Sequence, residues 1–520
     1  MKTYIKYLAV GMMAAAISSC GDFLDPKATS EYVPKDAESL NELLLGQAYP
    51  RKDIANTLDG FLHLMDDDIA FAPYQTYDNY FENKLSAMQI VFTWQPNMWD
   101  QLYVIYPSHN VNQYKAYYSL ILGCNAILDY IGQANDSQEE INNVLAQAHA
   151  LRGYYYFQLV NIFGKPYNSP GGPESLGVPL KLTSNIEDAG IRRNTVGDVY
   201  DQVLSDLKAA EELYESLPAD MQWKSNFRTS LPMVQLVLSR VYLYMENWEK
   251  AALYAEKVMN NSNFKFINVN DVPRMNPNAQ SRIYYMNYQS YNSSPEVIMP
   301  FGNTADVAFW LFDIPKNGTP CFIASQDLLD SYEDTDLRKD FYIATTKQQD
   351  NYPRNWQTLP LGKISLNSQN NNLGSGSDNF GRSFRLSEAY LNYAEAKIEL
   401  NEDISGVFAK VDLMRKNRFK PEDFKPTPSM SQDAAREFIR AERRRELCYE
   451  GHRWFDIRRW GMPEIKHVWH VDGETDVEYT LKAGDNAYTL PIPRTSIELN
   501  PDLEQNPMDS GSRPGVNINK

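Results

Sequence analysis

ERRRELCYEGHRWFDIRRWG, residues Glu442 to Gly461, crowds six arginines against Tyr449, Trp454, Phe455 and Trp460. Arginines interleaved with aromatics are the footprint of a nucleic-acid surface. The acids argue otherwise, because Glu442, Glu446, Glu450 and Asp456 lie among the arginines and cancel most of their charge. At helical spacing Glu442 faces Arg445, Glu450 faces Arg453 and Asp456 faces Arg459, which predicts self-neutralised pairs. Bulky apolar residues between those pairs predict burial, with arginine stems packed on aromatic faces. The stretch therefore reads as a structural knot joining a helix to the turn that follows, with Gly451 at the bend.

Outward from this knot, helical periodicity is strong in two zones, about 115–260 and about 382–461. In the first, Leu145, Ala148, Leu151, Tyr155, Leu159 and Ile162 recur at helical spacing and stop at Gly164, before Pro166. Thr195 with Asp198 predicts a capped start for the next helix. Pro232 to Asn247 and Trp248 to Asn260 predict a tight helical hairpin whose second helix carries Ala251, Ala252, Tyr254 and Ala255. That small-and-aromatic texture is tetratricopeptide-like, and Arg385 to Leu400 repeats it with Ala389, Tyr390, Tyr393 and Ala394. A fixed 34-residue period is absent, so the repeats are diverged and carry insertions. The predicted fold is mostly α: a tetratricopeptide-like helical scaffold with long irregular, loop-rich insertions at about 66–109 and 261–381 and a Pro-rich tail at about 488–510. Both insertions are rich in aromatics, which argues against disorder and suggests binding loops on a rigid frame.

The first residues read as a targeting segment. Lys2 and Lys6 precede an apolar run, Tyr7 to Ile17, too short to span a bilayer. Ile17-Ser18-Ser19-Cys20 fits a bacterial lipobox, so residues 1–19 are expected to be a lipoprotein signal peptide, Cys20 the lipidated residue, and 20–520 a single body anchored to a membrane by acyl chains. The formal net charge is −17, and loss of the two signal lysines makes the body more acidic still. Such a field disfavours DNA and anionic lipid surfaces. Cys124 and Cys448 sit in apolar helical contexts and read as core residues. No disulfide framework is visible.

The chain contains no P-loop, dinucleotide glycine pattern, GxSxG elbow or HExxH. His467 and His470 would share a helix face, but Val468 and Trp469 predict a strand, which separates them. Asp334, Asp336 and Asp340 lack the glycine of a calcium loop and fit a structural turn. Asp66-Asp67-Asp68 is read chiefly as solvated charge, with a sugar-hydroxyl or calcium role as the alternative. Nothing singles out a catalytic pair among the 67 acids. No metal or cofactor is expected, and no enzyme activity.

Sugar rings pack their C–H faces on flat aromatic rings, while their hydroxyls need polar partners. Tyr outnumbers Phe by 34 to 22, which favours half-wet aromatic surfaces. Trp94-Gln95-Pro96-Asn97-Met98-Trp99 places two indoles and an amide in one short stretch stiffened by Pro96, so Trp94, Asn97 and Trp99 are candidate ligand contacts. Trp310, beside Phe309 and Asp306, is the candidate from the second insertion, with Tyr288 and Tyr291 as weaker ones and Asp67 as a hydroxyl partner. Trp454, Trp460 and Tyr154 to Phe157 are assigned to the core.

Five segments, in order, resemble the SusD/RagB family of Bacteroidetes surface nutrient-binding lipoproteins. They are CGDFLD at 20–25, AQAHALRGYYYFQLVNIFG at 146–164, RLSEAYLNYAEA at 385–396, the stretch 442–461, and LPIPRTSIELNPDLEQNP at 490–507. Ile457 stands where leucine is common, Lys165-Pro166-Tyr167 is a shorter turn than usual, Ser496 replaces a common glutamate, and Met508-Asp509 replaces Gly-Tyr. The resemblance implies a helical body built on tetratricopeptide-like repeats. It also implies an outer-membrane lipoprotein that acts as a lid on a SusC-like TonB-dependent transporter and captures an oligosaccharide or polysaccharide, or in the RagB branch a peptide. The family's ligand contacts vary between members, so none is transferred. The expectation is glycan capture without cleavage and without nucleic acid; the peptide-binding alternative would need backbone-pairing edges more than aromatic platforms.

Overall fold

The computed structural model describes residues 36–50, 58–72, 79–105, 112–186, 190–274, 281–282, 294–302, 311, 321–349, 356–363, 382–472 and 474–519. Among them the principal helices are α1 (Ala37–Leu43), α2 (Asn79–Phe92), α3 (Met98–Ile105), α4 (Gln113–Tyr130), α5 (Gln138–Phe163), α6 (Val196–Glu215), α7 (Leu231–Tyr244), α8 (Trp248–Met259), α9 (Leu386–Glu399), α10 (Ile404–Arg415), α11 (Gln432–Leu447), α12 (Arg453–Arg459) and α13 (Arg494–Leu499). The chain is mostly helical, as its periodicity predicts. One apolar core runs through it from Ala37 to Leu503.

Local chemistry sets the helix ends. Ser137 and Glu140 close a capping box at the start of α5, and Thr195 and Asp198 close another at α6. The helix α5 stops at Gly164, where the chain turns extended before Pro166. Successive helices pack as antiparallel neighbours, α4 on α5, α5 on α6 and α7 on α8. Buried Ala251, Ala252 and Ala255 on α8, and Ala389, Ala394 and Ala396 on α9, let these two helices approach closely although they lie far apart in sequence. Buried ion pairs also tie helices together: Arg152 of α5 grips Asp206 of α6, and Arg240 of α7 makes a bidentate pair with Glu388 of α9 at 2.6 and 2.7 Å.

The insertions differ from expectation in one respect. The block at 66–109 holds β1 (Ile69–Phe71) and two helices, α2 and α3, rather than irregular chain. Among its described aromatics Phe92 and Trp99 are buried helix residues, Phe71 is a buried strand residue, and Trp94 is buried just past α2, while Tyr103 of α3 is exposed; a tally of aromatics does not separate these from loop residues. The second insertion contributes short antiparallel ladders. Here and in the C-terminal part of the chain, the strands of three or more residues are, in order, β2 (Val297–Phe301), β3 (Phe322–Ala324), β4 (Ala344–Gln349), β5 (Trp356–Gly362), β6 (Arg382–Arg385), β7 (Ile465–His470) and β8 (Asp476–Leu481). The pairings are β1 with β3, β2 with β6, β4 with β5, and β7 with β8.

Candidate functional site

Two of these ladders end where the described residues of the insertions stop. Ala72, at the end of β1, donates its N–H to the Cys321 carbonyl at 2.7 Å. Ala72 and Cys321 therefore lie side by side at one ladder end. Phe301 pairs with Arg382 at the end of the β2–β6 ladder. The β1–β3 ladder also touches β5 and β7. We propose these ladder ends as the base of a binding face.

The stretch 442–461 holds that base. The chain leaves α11 after Leu447, turns through Tyr449 and Gly451, both at positive φ (60° and 80°), and enters α12. On one side Arg453 grips Asp67 bidentately at 2.6 and 2.7 Å, and Arg444 bonds Asp68 at 2.7 Å and the Asp67 carbonyl at 3.0 Å. Ser325, just after β3, bonds the Asp67 and Asp68 carbonyls. On the other side Glu446 receives Arg338, Arg385 and Arg418, and Glu296, next to β2, receives Arg385 and Arg418. Glu450 receives Arg385, at the end of β6, and Lys363, just past β5. Asp59 adds a second tie, accepting Tyr117 of α4, Gln158 of α5 and Arg382 of β6. Tyr154 of α5 packs edge-on against both Phe301 and Phe384, joining the β2–β6 ladder to the scaffold.

Burial alone would raise these carboxyl pKa values, since it penalises charge. At Glu446 the guanidiniums of Arg418, Arg385 and Arg338 outweigh burial and hold the carboxyl well below its usual range. Arg338, Arg445 and Arg415 likewise hold Glu442 at about 2 against its burial. Arg459 does the same for Glu395 of α9, also to about 2. Asp67 is pulled below the usual range because Arg453 and Arg444 outweigh its burial. A matched cluster of this kind costs desolvation to build, but removing one member strands a buried charge.

The expected pairs within the stretch are formed at Glu442–Arg445 (2.8 Å) and Asp456–Arg459 (3.0 Å). Glu450 and Arg453 do not pair with each other. The turn at Gly451 points them to opposite ladders, Glu450 to Arg385 and Lys363, Arg453 to Asp67. The acidic triplet 66–68 is likewise not solvated charge. Asp66 and Asp68 are buried, and Asp67 is committed to Arg453. The turn reading for Asp336 holds, with its carboxylate bonded to Arg338. His467 and His470 lie on β7 with the strand separating them: His467 is buried between Phe92 and Trp94, and His470 bonds Asp476.

The predicted tryptophan platform is corrected. Trp94 is 0% exposed and Trp99 5%. Trp94 ends α2 in a Schellman motif, its own N–H bonding the Val91 carbonyl and that of Gln95 the Ile90 carbonyl. It occupies the left-handed position (φ 50°) where glycine is usual. The compensation is burial: its ring stacks on His467 at 4.2 Å and its indole N–H bonds the Met65 carbonyl. Trp99 packs edge-on to Phe61 and bonds the Pro491 carbonyl at 2.8 Å. Neither ring presents a face to a ligand. Asn97 is exposed and accepts a hydrogen bond from Gln101, one turn along. Trp310, Tyr288, Tyr291 and Cys20 lie outside the described residues. Trp454 and Tyr154 to Phe157 are core, whereas Trp460 is half-buried, its indole bonding Glu395 and its ring covered by Arg459 and Arg440. Asp59 and Lys363 carry much of the base and give no signal in the sequence, being a lone acid and a lone base outside any motif; Arg385 opens the segment 385–396, whose pattern marks a helix and not an ion pair.

This arrangement defines a helical-repeat scaffold whose short ladders are locked to it by buried ion pairs. Comparison with known proteins agrees. The SusD family model matches residues 274–508, and the model described as starch-binding associating with outer membrane matches residues 22–243. The chain belongs to the SusD/RagB family. Among its relatives, SusD-like protein P25 of Formosa agariphila is 26% identical over 445 residues, 77% of this chain and 79% of its own. SusD-like protein P2 of the same organism is 26% identical over 419 residues, 75% and 78% of the two chains. A SusD-like carbohydrate binding protein from Bacteroides vulgatus superposes with a TM-score of 0.63 at 21% identity, covering 90% of this chain and 98% of its own. A SusD superfamily protein from Bacteroides thetaiotaomicron gives 0.63 at 21% identity, covering 91% and 100%.

Proposed function

We propose that this protein captures an oligosaccharide or polysaccharide at the cell surface and passes it, uncleaved, to a SusC-like TonB-dependent transporter. It is held to the outer membrane by lipid on Cys20. The observation that carries this reading is the match of both halves of the chain to models of one family, one of them described as starch-binding and outer-membrane-associated. The carbohydrate-binding description of the Bacteroides vulgatus structure supports it. So does the helical-repeat architecture, shared along nearly the whole chain with the SusD-superfamily structures. No helix among the described residues is long and apolar enough to cross a membrane, which fits attachment through lipid.

Calorimetry of the body beginning after Cys20 tests the reading, with neutral and acidic polysaccharides and a tryptic peptide digest as titrants. Heat from one glycan class, with chromatography showing the glycan unchanged afterwards, is the expected result. Heat from peptides alone would move the protein to the RagB-like branch, and shortened glycan would make it a hydrolase.

A further inference from the structure

Far along the chain from the loop segments, residues 217–230 link α6 to α7 and close one side of a cleft of about 570 Å³. Its other walls are α1 and the N-terminal half of α5. The walls are tied together. Arg228 donates to Asn41 of α1 at 2.6 Å and to Gln147 of α5 at 3.2 Å, and Asp136 accepts the Ala37 N–H at 2.7 Å. The floor is equally fixed: the Tyr49 hydroxyl donates to Gln147 and accepts the Thr229 N–H, and Tyr214 bonds the Thr229 carbonyl. Trp223 is half-buried at the edge of this space. Its indole N–H bonds the Ile298 carbonyl at 3.0 Å and Phe264 meets it edge-on, so the ring is held still while part of it remains uncovered. The cleft is therefore pre-formed, and its volume falls in the range of small-molecule sites.

Its chemistry selects among ligands. Two walls are the helices α1 and α5, and the third, the connection 217–230, forms no strand and has its Thr229 N–H bonded to Tyr49, so an extended peptide finds no ladder edge to join. Carboxylates (Glu38, Asp136, Glu140) and cations (Lys224, Arg228) line it together, which gives no net pull on a polyanion. What remains is one fixed indole among side-chain amides, Asn41, Asn143 and Asn226, that donate to and accept from hydroxyls. We propose that this cleft is a sugar subsite, distinct from the loop-bearing base, that takes a short stretch of a neutral glycan. The proposal rests on the glycan-capture reading and adds a second point of contact for a long chain. Two contacts on one chain raise overall affinity through effective concentration without either being tight.

The test uses the whole body after Cys20 and two variants. Asn143→Trp fills the cleft from the α5 wall, and Trp223→Ala removes the ring; melting curves accompany both. Calorimetry with neutral oligosaccharides of increasing length should show at least a tenfold loss of affinity for the short ones in both variants, with the Asn143→Trp melting temperature unchanged. Wild-type affinity in Asn143→Trp would overturn the subsite while leaving glycan capture intact. Absence of heat from every glycan in the wild type would instead sink the capture reading, and the subsite with it. Peptide binding that Asn143→Trp abolishes would overturn the sugar assignment of the cleft.

Discussion

The turn at 94–99 and the segment at 223–229 are alike in composition and opposite in exposure. Each sets tryptophan beside amides in a connection after a long helix. In the first, both indoles point inward and bond backbone carbonyls of distant segments, Met65 and Pro491. In the second, Trp223 also bonds a distant carbonyl, Ile298, yet part of its ring stays open to a cleft. An indole's hydrogen bond therefore does not separate core from site. What separates them is whether other elements close over the ring: β7 closes over Trp94 through His467, and nothing among the described residues closes over the mouth of the cleft.

The contrast breaks most readily at Trp94. Trp94→Ala should cost about 3–5 kcal/mol of unfolding free energy, read by denaturant titration, with glycan affinity of the folded fraction unchanged. A full-stability variant with lost binding would reverse the assignment. Acid tests the ion-locked base next. Glu442 and Glu395 titrate near 2 in the fold, below the ordinary 4.5. Their folded pKa values are depressed, so their contribution is whole above about 4.5 and is lost as pH falls towards 2. Melting temperature should drop steeply across that window, and a flat profile would mean these carboxylates gain nothing from their arginines. Trp223→Ala should cost only about 1–2 kcal/mol of stability, because its ring is half-exposed, while affinity for short glycans falls; differential scanning beside calorimetry reads both. Smallest of all, Asn97→Ala should stay within about 0.5 kcal/mol in stability, since its side chain meets only Gln101 in solvent, and an unfolding titration would expose any larger effect.

Much of the frame was legible because it rests on short-range rules. Capping at Ser137 and Thr195 is local chemistry, and so are the stop at Gly164 and the alanine faces of α8 and α9; a helix obeys them wherever it packs. The stretch 442–461 showed its burial through its cancelled charge, but not the directions of its arms. Glu450 and Arg453 would sit at pairing distance on a continuous helix, but α11 ends at Leu447 and the turn through Tyr449 and Gly451 sends one to β6 and the other to Asp67. The tryptophan turn misled for a related reason. A non-glycine residue at a left-handed helix end looks like loop, and only the distant strand β7 makes it core. Nothing marked Asn41, Asn143 and Trp223 as neighbours, since a cleft built from α1, α5 and a connecting segment is a product of packing.

The central claim is that the stretch 442–461 holds the base of the binding face, and hydrogen exchange of a Glu450→Gln variant tests it most directly. Removing that charge leaves Lys363 and Arg385 under-compensated in a buried site. Exchange should then quicken in β2, β5 and β6, with α5 and α6 as protected as in the wild type. Exchange that rises equally in α5 and α6, or does not change at all, would contradict the account.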